Sequence, residues 1–146
     1  AYDNQGKTED ASAMYEGILL KRPRMDLAAN NLAVLLVERV GSNDALRRAG
    51  ELVERFRQDN SAAYLDTFAW VNFHRGEIDI ARNTLERVIV MAPAFVLSRY
   101  HLAQGYEKMG DTVNAIQMLK LALEPRIPFR GHDVAVVQLA HLEKRR

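Results

Sequence analysis

The chain has 146 residues, no cysteine, and a formal net charge of +1, from 20 Lys and Arg against 19 Asp and Glu. Disulfides and thiol chemistry are excluded, and the near-balanced, scattered charge gives no bulk attraction to nucleic acid or an anionic membrane. The 48% hydrophobic content can fill a continuous core without metal or disulfide staples, yet no window approaches the ~18 uncharged apolar residues of a membrane span.

The first predicted helix covers residues 8–21, after a turn at Gly6, with Ala11, Tyr15 and Ile18 on one stripe and Pro23 beyond its end. It reads as the second helix of a hairpin whose first helix lies upstream, so residues 1–24 are a partial repeat cut from a longer array. The apolar face of Ala11, Met14, Tyr15 and Ile18 is then expected to be left exposed. A complete hairpin follows over residues 25–60. Its first helix, near 26–38, carries Leu32, Val34, Leu35, Leu36 and Val37, apolar on more than one face. Gly41 makes the turn, and Ser42 or Asn43 caps a second helix with Ala45, Ala49, Leu52, Val53 and Phe56 inward. A third hairpin, residues 61–93, places Leu65, Phe68, Ala69 and Asn72 on one stripe, turns at Gly76, and continues with Ala81, Leu85 and Val88 before Pro93. The fourth, residues 94–128, has Tyr106, Gly110, Ala115, Leu119 and Ala122 in the same register, with Asp111 as N-cap. Residues 129–146 supply a last helix with Ala135, Val136, Leu139 and Leu142 inward and a polar end, Glu143-Lys144-Arg145-Arg146, which suits a helix C-terminus.

Three markers keep one period. A small residue early in the second helix recurs as Ala11, Ala45, Ala81 and Ala115, and a turn glycine as Gly6, Gly41, Gly76 and Gly110. An apolar-Ala pair recurs as Leu32-Ala33, Phe68-Ala69 and Leu102-Ala103. This set resembles the tetratricopeptide repeat, a helix-turn-helix unit of about 34 residues. The loop Gln58-Asp59-Asn60 departs from the family by standing where its proline would be. The resemblance implies an all-α fold: a right-handed superhelical stack of antiparallel helix-turn-helix repeats, an α-solenoid, closed by a C-terminal capping helix and counted as one repeat domain.

In that family the first helices line a concave groove. Carried over by position, the groove takes Asn30, Val34 and Glu38 from the second unit, with Leu27 and Val37 beside them. Asp66, Trp70, Phe73 and His74 come from the third, and Tyr100, Gln104, Glu107 and Lys108 from the fourth. Trp70, Phe73 and Tyr100 would be aromatic anchors of the kind that dominate binding hot spots, unless Trp70 instead packs against a neighbouring helix. The carboxylate clamp that cochaperone members use on chaperone tails is not matched. The corresponding positions are Asn30 and Asn31, then Asp66 and Thr67, then Leu97 and His101, without the required cations.

His74, His101, His132 and His141 form no pair at metal-ligand spacing, so no metal or cofactor is implied, and no serine sits in a nucleophile elbow. The expectation is a non-enzymatic scaffold that binds a protein or peptide in its groove. An oligomerisation or regulatory segment, self-associating through exposed repeat ends, stays open as a second class, and a catalytic module assembled from distant residues as a remote third. The stretches NNLAVLL, YLDTFAWV and RYHLAQGYEKMGD also resemble the closing repeats of bacterial tetratricopeptide proteins of envelope and exopolysaccharide systems, including those beside PEP-CTERM sorting genes. That implies a role in assembly or secretion, in the bacterial cytoplasm or the periplasm and envelope.

Overall fold

The computed structural model describes residues 2–145, with side chains from residue 5 onward. These residues form two compact units that divide between Gly76 and Glu77. The first unit holds α1 (Tyr2–Lys21), α2 (Asp26–Leu35), α3 (Asn43–Val53) and α4 (Ala62–His74). The second holds α5 (Ile78–Met91), α6 (Val96–Lys108), α7 (Thr112–Leu123) and α8 (His132–Lys144). The division falls between α4 and α5.

Local chemistry explains the helix boundaries. Ser42, Ser61 and Asp111 each cap a following helix, their side-chain oxygens accepting from the backbone N–H of Ala45 at 3.2 Å, Tyr64 at 3.3 Å and Asn114 at 3.1 Å. Each such cap stabilises its helix by about 1 kcal/mol. Gly41, Gly76 and Gly110 take φ of 71°, 87° and 81°, the left-handed region in which a side chain is strained and a helix reverses readily. Where the family's proline would stand, Asp59 accepts from Ser61 N–H at 2.8 Å just before α4 begins.

In the first unit, α1 packs on α2, α2 on α3, α3 on α4, and α2 also meets α4. The core joins Leu19, Ala29, Leu32, Ala33, Ala49, Leu52, Val53, Phe56 and Val71. Phe56 is fully enclosed and stacks on Tyr64 with ring centroids 4.5 Å apart. Glu16 grips Arg48 with both carboxylate oxygens, accepting from Nε at 3.0 Å and Nη2 at 2.9 Å. This ties α1 to α3 across one repeat. In the second unit α5 packs on α6, α6 on α7 and α7 on α8, around Ala103, Ala115, Ile116, Leu119, Ala122 and Leu142. The repeat alanines Ala81 and Ala115 are both fully buried.

Three features differ from the sequence reading. Helix α1 runs straight through Gly6, which makes no turn. A single glycine weakens a helix by about 1 kcal/mol without breaking it, and nothing here demands a reversal. Met14 is exposed as expected, but Tyr15 and Ile18 pack against the core, and it is Leu20, 84% exposed, that stands out furthest. Second, α2 ends in a π turn, Leu36–Val40, closed by Gly41 N–H donating to Leu36 O at 2.8 Å. Both Leu36 and Val37 are buried there, so the wider turn serves a segment with more apolar residues than one stripe holds. Third, Val136 points outward and is 49% exposed. Ala135 and Leu142 fix the inward side of α8, and the next residue along a helix is rotated by about 100° from it.

Candidate binding face

The positions singled out as a groove lie on the first helix of each hairpin. In the first unit, Asn30, Val34 and Glu38 stand at i, i+4 and i+8 along α2 and its π turn, one face of a helix. Asn30 and Val34 are half-buried and Glu38 is exposed. Asn30 Nδ2 donates to Asn31 Oδ1 at 3.3 Å, while Asn30 Oδ1 is a buried acceptor with no hydrogen-bond donor among the described residues.

On α4, Trp70 is the centre of a ring cluster. Its indole N–H donates to Glu38 Oε2 at 2.8 Å, joining α4 to the end of α2. Phe73 lies parallel to it with centroids 5.1 Å apart, and His74 meets it edge-on at 4.5 Å. Only 6% of Trp70 is exposed. The indole is therefore core, its one polar atom satisfied by a carboxylate, and the reading of Trp70 as an open anchor is corrected. Asp66, expected to face a ligand, is buried too. What remains accessible of this set is Phe73 and His74, both half-buried, beside exposed Glu38.

In the second unit the same positions are met by α8. Tyr100 is buried, its ring 5.5 Å from that of Phe129 and packed on Gly131. Gln104 and Gln138 exchange hydrogen bonds, Gln104 Nε2 donating to Gln138 Oε1 at 2.7 Å and Gln138 Nε2 donating back at 3.1 Å. Gln138 Nε2 also donates to Glu107 Oε2. Tyr100, Gln104 and Glu107 are thus engaged by the capping segment, which leaves Lys108 exposed at the end of α6. The sequence reading missed Gln138, Phe129 and Gly131. Its one available signal was that Gln138 stands 34 residues after Gln104, a full repeat. On the far side of α6, Tyr106 donates to Glu86 Oε1 at 3.1 Å. Burial, and then this bond, hold its phenol above the ordinary tyrosine range.

Among the described residues, no group of three or more His, Cys, Asp or Glu is gathered where it could hold a metal ion. No described helix is long and apolar enough to cross a membrane.

No family model matches the sequence. No curated protein matches it either. Solved structures do match. A crystal structure of MamA aligns over 84% of this chain and 70% of its own, at 21% identity and a TM-score of 0.64. A second MamA crystal structure aligns over 84% and 66%, at 22% identity and a TM-score of 0.61. At such identities the likeness establishes the fold alone. Together with the helical hairpins described above, it gives the chain an all-α, tetratricopeptide-like α-solenoid fold.

Proposed function

We propose that this protein is a protein-interaction scaffold that takes a peptide or partner helix on the α2–α4 face of its first unit. The observation that carries the reading is the exposed Glu38 carboxylate beside accessible ring surface on α4. The half-buried Phe73 and His74 stand beside Glu38 around the Trp70 indole, and offer ring surface at low entropic cost. Together these groups suit a ligand that brings an apolar residue to Phe73 and a Lys or Arg to Glu38. Trp70 and Asp66 act beneath that surface as supports. The envelope assembly or secretion setting implied by the family resemblance belongs to the same proposal.

Selection of peptides from a random library against the chain tests it. Selected peptides should carry an apolar residue next to Lys or Arg. Phe73→Ala and Glu38→Gln should each weaken them at least about tenfold without shifting the thermal transition by more than a few degrees. Peptides that bind both variants as tightly as the parent would remove the α2–α4 face from consideration.

A further inference from the structure

The outward side of α8 is not that of a solvated cap. Ala135 and Leu142, seven residues apart and fully buried, set its core side. At about 100° per residue, the opposite direction carries Asp133, Val137, Ala140 and Lys144, spaced i, i+4, i+7 and i+11. All four are exposed. Val137 is 70% exposed, and the flanking Val134 and Val136 are 58% and 49% exposed. Val137 stands at the middle of this stripe, with a charge at each end and Val134 and Val136 on its two flanks.

The order of those residues says what fits it. Read backwards the stripe is Lys, Ala, Val, Asp, so an antiparallel copy is its complement. Asp133 meets the partner's Lys144, and Val137 meets the partner's Ala140, a large residue over a small one that lets the helices close. A parallel copy would oppose Asp to Asp and Lys to Lys. Both charges are available, since Lys144 makes no ion pair among the described residues and Asp133 reaches only His132 Nδ1, at 4.0 Å. Antiparallel helices also set their dipoles head to tail, each acidic end against a basic one.

We propose that α8 is a homodimerisation helix, pairing antiparallel with a second copy of this chain through Asp133, Val137, Ala140 and Lys144. The seam covers eleven residues of rise, about 16 Å. Such a small patch makes a reversible dimer rather than an obligate one. It is built from residues of the second unit and the proposed peptide-binding face from residues of the first, so either reading can fail without the other.

Sedimentation velocity of the whole chain, from about 10 µM to about 1 mM at low salt, should show a concentration-dependent dimer. Asp133→Lys and Lys144→Asp should each raise the dissociation constant at least about tenfold, because each reverses two symmetry-related contacts. Mixing the two variants in equal amounts should restore dimers, since each then supplies the charge the other lacks. Val137→Lys, in mid-helix and clear of the dipole ends, should weaken the dimer while leaving the helical circular dichroism unchanged. A parent that stays monomeric throughout overturns the proposal. So does a dimer indifferent to Asp133→Lys and Val137→Lys, or a mixture that associates no better than either variant alone.

Discussion

Gly131 is where the capping segment is most sensitive to a single atom. Its φ of 100° lies in the left-handed region, and a Cβ built there would sit 2.6 Å from Tyr100 Cε2 and 2.8 Å from Cζ. Gly131→Ala therefore meets two separate penalties. The backbone conformation costs a non-glycine residue about 1–2 kcal/mol. Forcing a methyl into a ring that is itself buried and packed on Phe129 adds about 1–3 kcal/mol of overpacking. The expected loss is about 2–5 kcal/mol. With a urea m-value of about 1–3 kcal/mol/M, the unfolding midpoint should fall by roughly 1–2 M. The two penalties can be separated in the Tyr100→Ala background, where the methyl meets no ring. There Gly131→Ala should cost only the backbone part, about 1–2 kcal/mol. A parental midpoint for Gly131→Ala would refute the φ assignment. An undiminished loss in the Tyr100→Ala background would refute the packing of Tyr100 on Gly131.

Two further outcomes follow from residues already placed. Ala115→Leu inserts three heavy atoms at a fully buried position in the α7 core face and should destabilise by about 1–3 kcal/mol in chemical denaturation; an unchanged midpoint would put the fourth repeat in the wrong register. Tyr106→Phe should flatten the alkaline limb of stability. With the folded phenol held above its ordinary range, the unfolded chain loses that proton first, near pH 10, so parental stability is complete below that pH and declines as pH rises through the folded pKa. Denaturation midpoints compared at about pH 8 and above about pH 10 should diverge less for the variant than for the parent, and equal slopes would mean that neither burial nor the Glu86 bond holds the phenol up in solution.

The repeat architecture was legible because its markers answer to backbone geometry. Gly41, Gly76 and Gly110 must take positive φ for the chain to reverse, and Ala45, Ala81 and Ala115 must be small where helices meet. Gly6 shows the limit of that logic. It occupies the same place in the period yet is helical, because a glycine permits a turn and does not impose one. Val136 failed for a different reason. With Ala135, Val136, Val137 and Leu139 in sequence, several inward directions fit the pattern, and only the packing of Leu142 on the core selects among them.

The helix faces of the candidate side chains were legible in the sequence and their burial was not, and the reason lies in how neighbouring helices cover those faces. Family position assigns Trp70 and Gln104 to equivalent ligand-facing roles, yet each is consumed by a residue about one repeat away. Trp70 donates to Glu38, which lies 32 residues before it, and Gln104 exchanges bonds with Gln138, which lies 34 residues after. Helical periodicity reports which face a side chain occupies. It carries no information about the neighbouring first helix that covers that face, because the partner's identity sits a whole repeat away and obeys no local rule. The spacing from Gln104 to Gln138 places α8 where the first helix of another repeat would stand. Its amide meets the α6 face, and its own outward valines stay exposed among the described residues. A helix that satisfies the repeat before it and leaves an exposed valine on its other side has a further surface to offer. That is why charge order along α8, and not its burial, decides what partner it accepts.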